Sequence, residues 1–219
     1  MKTMILAFFT AIISFPDITS CSCAQNGSDF LTTNNVVAYA TCNIRDRRIR
    51  GAILFRESDG ETEVNVLLKG VPEGLHGFHV HVYGDLSVNE NNEICKLTGG
   101  HYNPENNIHN RRSAADRHVG DLGNICIDSM DLTNFTFVDP VISLTSNLSI
   151  IGRAIVIHEN ADDFTGAAGN AGDRIACCSI VHSEPWSLST YVIDERSVAQ
   201  SIMPFNVIIV MMLLLKLTL

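Results

Sequence analysis

Between Val36 and His182 the apolar residues fall into short runs rich in Val, Ile and Thr, and none sustains a 3.6-residue period. The runs are Val36 to Thr41, Ala52 to Phe55, Glu63 to Leu68, Gly77 to Val82, Val141 to Leu144 and Ile150 to His158. Clusters of Gly, Asn and Asp separate them, as in Glu57-Ser58-Asp59-Gly60. Many short strands punctuated by turn signals predict an all-β antiparallel sandwich or barrel. Two stretches break the pattern: Gly84 to Asp116 is polar, and Glu159 to Asp173 is rich in Gly and Ala. Long loops in a compact domain are usually functional or disordered.

A chain of 219 residues is long enough for one domain with a core of its own. The formal net charge of -9 argues against a nucleic-acid partner, because phosphate binding needs clustered Lys and Arg. It also means that an enzyme acting on an anion would need a local positive field.

The two ends differ from the middle. Met1-Lys2, an apolar run from Met4 to about Phe15 and small residues near Ser20 to Ala24 read as a secretory signal peptide, assigned to residues 1–22. The apolar run is too short to span a bilayer. Residues 183–201 form a polar spacer, and Ile202 to Leu219 is almost wholly apolar. That tail is slightly short for a spanning helix and carries no basic stop. With Ser187, Ser189 and Thr190 upstream, it suits a GPI-anchor signal better than a transmembrane segment. Both readings attach the protein to a membrane through its C-terminal tail and place the domain outside the cell. Sequons at Asn26, Asn134 and Asn147 agree with secretion and mark glycosylation sites.

The eight histidines, His76, His79, His81, His101, His109, His118, His158 and His182, gather at the edges of the two long loops. In a strand, residues i and i+2 point to one face, so His79 and His81 project together, about 6–7 Å apart by strand rise. Such a pair suits two ligands on one metal, and suits a surface strand equally well. His101, His109, His118 and Asp121 fall in one loop-rich stretch. Three imidazoles and a carboxylate are a tetrahedral zinc set, closed and structural because protein fills all four positions. His158 ends an apolar run and could return to the His79/His81 pair, giving a nitrogen set suited to copper.

Five ordered blocks carry a resemblance. They are Gly74 to His81 followed by Gly84-Asp85, Gly99 to Pro104, Arg117 to Asn124, Gly152-Arg153 with His158 to Asp163, and Gly169 to Cys177. Together they resemble the signatures of copper/zinc superoxide dismutases of the secreted type, over about Val36 to His182.

The resemblance implies an eight-stranded Greek-key β-barrel with long metal-binding and active-site loops. It implies copper on His79, His81, His101 and His158, and zinc on His101, His109, His118 and Asp121. His101 would bridge the two metals. Asp162 would accept hydrogen bonds from His79 and His109, orienting both rings. Arg174 would hold the superoxide anion beside copper. In the family's cycle the bridging imidazole takes a proton on reduction, which makes His101 catalytic alongside Arg174. Cys95 and Cys177 stand where the family has its intrasubunit disulfide, which secretion permits. Cys42, Cys126 and Cys178 have no family partner; free buried thiols are the simple expectation, and an extra bond among them is the alternative that only the folded geometry decides. His76 reads as a structural brace and His182 as a surface or interface histidine.

Three departures matter. The loop from His158 to Arg174 is shorter than in cytosolic members and lacks their Lys and Glu run. Asp173 sets a negative charge directly before Arg174. Ser179 and His182 stand where cytosolic homodimers have apolar contacts, so a homodimer is only one reading. A copper buffer or an adhesion module on the same fold are the competing functions. The intact ligand set opposes the adhesion module, and Arg174 with Asp162 opposes the buffer.

Overall fold

The structure is a computed structural model describing residues 36–45, 48–128 and 132–185. The signal peptide, Asn26, nearly all of the 183–201 spacer and the 202–219 tail lie outside the described residues.

Among the described residues nine strands form two antiparallel sheets. The strands are β1 (Val36–Arg45), β2 (Arg50–Ser58), β3 (Glu61–Lys69), β4 (Gly74–His81), β5 (Asp121–Ile127), β6 (Leu132–Asp139), β7 (Ala154–His158), β8 (Arg174–Ser179) and β9 (Val181–His182). One sheet has the order β6-β3-β2-β1-β9 and the other β5-β4-β7-β8. The β2–β3 hairpin turns at Asp59-Gly60, with φ 53° and 84°, the paired positive angles of a two-residue hairpin whose twist matches its strands.

Strand alternation builds the core. Ile53 and Phe55, Val64 and Val66, Phe78 and Val80, and Ile155 and Ile157 are all fully buried and meet in one cluster between the sheets.

Two sequence expectations change. The resemblance implied eight strands in a barrel, whereas the described residues form nine strands in two sheets that do not close. The chain leaves β8 at buried Ile180 and crosses to pair β9 with the edge of β1. The Val141 to Leu144 run is not a ladder strand. Asp139 Oδ1 takes the N–H groups of Val141 and Ile142, and Glu57 Oε2 takes that of Leu144 at 2.6 Å. Buried carboxylates satisfy that backbone in place of a neighbouring strand. β5, β6 and β8 were not among the runs read from the sequence.

Candidate metal centre

Strand β4 turns alternate faces to different tasks. Phe78 and Val80 enter the core, so His79 and His81 must point outward. His76 shares the core face and is buried. Its ring nitrogens lie 2.8 Å from the carbonyl oxygens of His158 and Pro72, tying β4 to the end of β7. Register then brings in His158. His79 pairs with Val156 and His81 with Ala154, so the outward face of β7 runs Ala154, Val156, His158. Gly77 leaves room between them: a Cβ there would press on Ala171, the His79 ring and His158.

The long loop between β4 and β5 doubles back along β4. Tyr102 N–H donates to Val80 O at 2.8 Å, and Val80 N–H donates to Gly120 O at 2.9 Å. A Cβ at Gly120 would collide with the Val80 carbonyl, so only glycine allows this approach. The loop thereby lays His101 beside His81 as an antiparallel bridge.

Two buried donor groups result. The potential ligand atoms of His79, His81, His101 and His158 all lie within 4.8 Å of one another, as do those of His101, His109, His118 and Asp121. His101 belongs to both. Among the described residues no third group of this kind occurs.

The second group has the shape of a cradle. Asp121 Oδ2 accepts the N–H groups of Asn110 and His118, each at 3.0 Å. Its Oδ1 is left facing Nδ1 of His101, His109 and His118 at 2.9, 3.0 and 3.2 Å. A tetrahedral ion with bonds of about 2.0–2.1 Å sets neighbouring donors about 3.3 Å apart. Moreover, Nδ1 of His79, His109 and His118 are buried without an aligned hydrogen bond, although two of them lie this close to a carboxylate. Buried polar atoms otherwise find partners, so nitrogens left bare and convergent fit metal ions. In the first group, Nε2 of His81 and His158 are 3.4 Å apart. Their Nδ1 atoms face the carbonyls of Gly99 and Gly172 at 2.8 and 3.3 Å, leaving Nε2 as the donor.

Asp162 stands between the groups. Its Oδ2 accepts from His79 Nε2 at 2.9 Å, and its Oδ1 from His109 Nε2 at 3.1 Å. Asn124 secures it through two bonds, Asp162 N–H to Asn124 Oδ1 at 2.7 Å and Asn124 Nδ2 to Asp162 O at 2.9 Å.

Comparison with known proteins agrees with this geometry. The family model for copper/zinc superoxide dismutase (SODC) matches residues 49–180. The chain belongs to the copper/zinc superoxide dismutase family. Superoxide dismutase [Cu-Zn] A of Xenopus laevis is 42% identical over 137 residues, 59% of this chain and 87% of that protein. Superoxide dismutase [Cu-Zn] 4 of Dictyostelium discoideum is 42% identical over 147 residues, covering 63% and 94%. The extracellular superoxide dismutase [Cu-Zn] of Drosophila melanogaster is 38% identical over 170 residues, covering 73% and 90%. Among solved structures, that of the clock protein EA4 superposes with a TM-score of 0.61 at 38% identity, covering 70% of this chain and 99% of that one.

In this dismutase, as in its family, the cofactors are copper and zinc, and the rings suit them. Burial drives His79 down to about 4, against the hydrogen bond to Asp162. Burial, aided by the charge of neighbouring histidines, takes His158 to about 3 and His81 to about 2. All three are therefore neutral at physiological pH, the form that binds metal. Burial works to raise Asp121, but hydrogen bonds from His101 and Asn110 outweigh it and hold the carboxyl at about 2.

Arg174 begins β8, opposite His158. Its guanidinium donates to Cys95 O at 2.7 Å, Thr98 Oγ1 at 3.0 Å and Gly99 O at 2.7 Å. The Gly99 carbonyl thus accepts from both Arg174 and His81. A disulfide joins Cys95 to Cys177, with Cα atoms 5.9 Å apart, and fastens the same segment to β8. Cys42 and Cys178 are not free thiols: they form a second disulfide with Cα atoms 5.3 Å apart. Cys126 is disulfide-bonded as well. Neither bond has a local sequence signal, because partners in a disulfide meet only through the fold.

Sequence reasoning also missed two residues that hold the dismutase's loops. Arg117, directly before the potential ligand His118, donates to the carbonyls of His118, Val119 and Asp121 and forks onto Asp139. Glu57 anchors the loop between β6 and β7 through Ser143, Leu144 and Thr145. His182 is exposed on β9 and joins neither donor group.

Proposed function

We propose that this dismutase works outside the cell with copper held by His79, His81, His101 and His158, and zinc held by His101, His109, His118 and Asp121. The observation that carries this reading is the single ring, His101, shared by two buried donor groups beside an arginine. Two superoxide anions and two protons become dioxygen and hydrogen peroxide: one anion is oxidised, the other reduced. Bound copper supplies the one-electron exchange.

The chain's own residues supply the rest. Arg174 offers the local positive charge that an acidic protein needs to gather a small anion. Four acceptors on residues 95–99 fix its guanidinium, so little freedom is lost when the anion arrives. His101 keeps Nδ1 against Asp121, which leaves Nε2 as the atom that takes up and returns a proton. Asp162 holds His79 and His109 through their outer nitrogens, so neither ring can turn.

The setting follows from the sequence. A cleaved leader at 1–22, the domain at 36–182, a spacer at 183–201 and an apolar tail at 202–219 would tether the enzyme to the cell surface. The similarity to an extracellular relative supports export. Asn134 on edge strand β6 and Asn147 in the β6–β7 loop are both exposed, as glycan acceptors must be. Exposed Tyr83 and Val181 offer apolar area for a homodimer, although Val181 is followed by exposed His182.

Metal analysis and a dismutase assay on the secreted domain test the catalytic reading. Copper and zinc bound together with activity support it; copper-loaded protein without activity would point to a copper buffer. A phospholipase that cuts GPI anchors should release activity from cells, and retention of activity would favour a transmembrane tail.

A further inference from the structure

Phe164 belongs to neither donor group, yet it touches Asp162, which serves both, and His109 of the second. It sits at φ 62°, a region L side chains rarely adopt. Its N–H donates to Asp162 Oδ1 at 2.8 Å. Its half-buried ring stacks on His109, with centroids 6.3 Å apart and planes 23° from parallel. The Arg111 guanidinium lies over that ring, 4.2 Å from its centroid. Gly169 presses the loop against the same carboxylate, since a Cβ there would collide with Asp162 Oδ1.

The short loop makes this residue conspicuous. From Phe164 to Gly169 the chain reads Phe, Thr, Gly, Ala, Ala, Gly, so Phe164 supplies the one bulky side chain in that stretch. Glycine or asparagine would fit the left-handed backbone at lower cost. A strained phenylalanine here points to the ring itself as the purpose.

We propose that Phe164 is a positioning residue for the centre of His101, His109, His118 and Asp121. Its N–H orients Asp162, its ring caps His109, and Arg111 holds the ring down, so that the bound ion leaves slowly. The inference rests on the reading of that centre as the zinc site. An imidazole gripped by a metal at Nδ1 and by a carboxylate at Nε2 can still rock out of its plane. An aromatic ring stacked on its face resists that motion and keeps water from the outer side.

The test uses the domain loaded with copper and zinc. Phe164→Gly keeps the N–H and suits the backbone, so it removes the ring alone. Phe164→Tyr restores a ring, and Arg111→Ala removes the exposed clamp without disturbing the core. Zinc loss to a chromogenic chelator, copper loss from the same sample and the visible spectrum of Co(II) at the zinc centre are recorded. Phe164→Gly should lose zinc about 10-fold faster, Arg111→Ala should change it in the same direction, and Phe164→Tyr should behave as the unaltered protein. The Co(II) bands should shift in Phe164→Gly while copper loss stays unchanged. Zinc release at the unaltered rate, or zinc and copper loss rising together, would overturn the inference. An unaltered protein that takes neither zinc nor Co(II) at this centre would instead overturn the zinc reading.

Discussion

The guanidinium of Arg117 forks onto the carboxylate of Asp139 at 2.7 and 2.8 Å, with both side chains wholly removed from solvent. This pair joins the ligand loop to the end of β6. Removing one partner strands a buried charge, which costs about 3–5 kcal/mol. Arg117→Met should therefore destabilise the domain by about that much in urea unfolding. The double change Arg117→Met with Asp139→Leu should cost less than the two single changes added together, because no unpaired charge remains even though the N–H groups of Val141 and Ile142 lose their acceptor. A double variant as unstable as the sum of its parts would refute this account.

The stability of the protein stripped of metal should depend on pH in a set direction. His79, His158 and His81 all have folded values below the ordinary 6.5, at about 4, 3 and 2. Above 6.5 both folded and unfolded chains leave these rings neutral, and their full contribution is present. As pH falls below 6.5 the unfolded chain takes up protons that the folded chain refuses, so stability drops through pH 4 and lower. Asp121 and Asp162, held at about 2, add a further loss below 3.8. His109 runs the other way. Burial lowers it, but Asp162 and Asp121 outweigh that and raise it, so its contribution fades above 6.5. Calorimetric melting from pH 8 to 4 should show a falling Tm below about 6.5; a rising Tm over that range would contradict the assignment.

Anion guidance should depend on Arg174 and respond weakly to salt. Asp173 is 81% exposed, with its carboxylate 3.7 Å from Lys96, and Glu93 is 3.6 Å from the same amine. One amine against two carboxylates leaves this surface cluster net negative, with half-buried Arg174 as the local positive centre. Arg174→Ala should lower kcat/KM by about 10-fold or more, while Asp173→Asn should raise it a few-fold, roughly in line with focused-field effects. Between about 10 and 150 mM salt the unaltered enzyme should lose only a few-fold in kcat/KM. A steep fall with salt would show that a wider charged surface steers the substrate.

Cys42 on β1 and Cys178 on β8 join the two sheets where no strand ladder does, closing a loop of sequence separation 136. The bond between them should stabilise the domain by constraining the unfolded chain. Replacing both by alanine should lower stability by about 2–4 kcal/mol and leave the Cys95–Cys177 bond formed. Denaturant titration with mass analysis of the remaining disulfides would check it, and unchanged stability would sink it.

Much of this protein was legible in residues close together in the chain. Short β-branched runs indicated an all-β fold, and the two-residue alternation of His79 and His81 set both on one face, because strand period is a local property. The ordered blocks around His101, His118, His158 and Arg174 carried the family resemblance. What lay beyond local pattern was decided by register and closure. His158 meets His79 and His81 because β7 pairs with β4 at one offset, and a shift of one residue would turn its ring into the core. Val141 to Leu144 has strand composition, yet Asp139 and Glu57 claim its backbone donors. The partners of Arg117, Glu57, Cys42 and Phe164 are likewise chosen by how the loops fold back over the sheets. Periodicity reports which face a residue occupies; only the packed chain determines what stands opposite it.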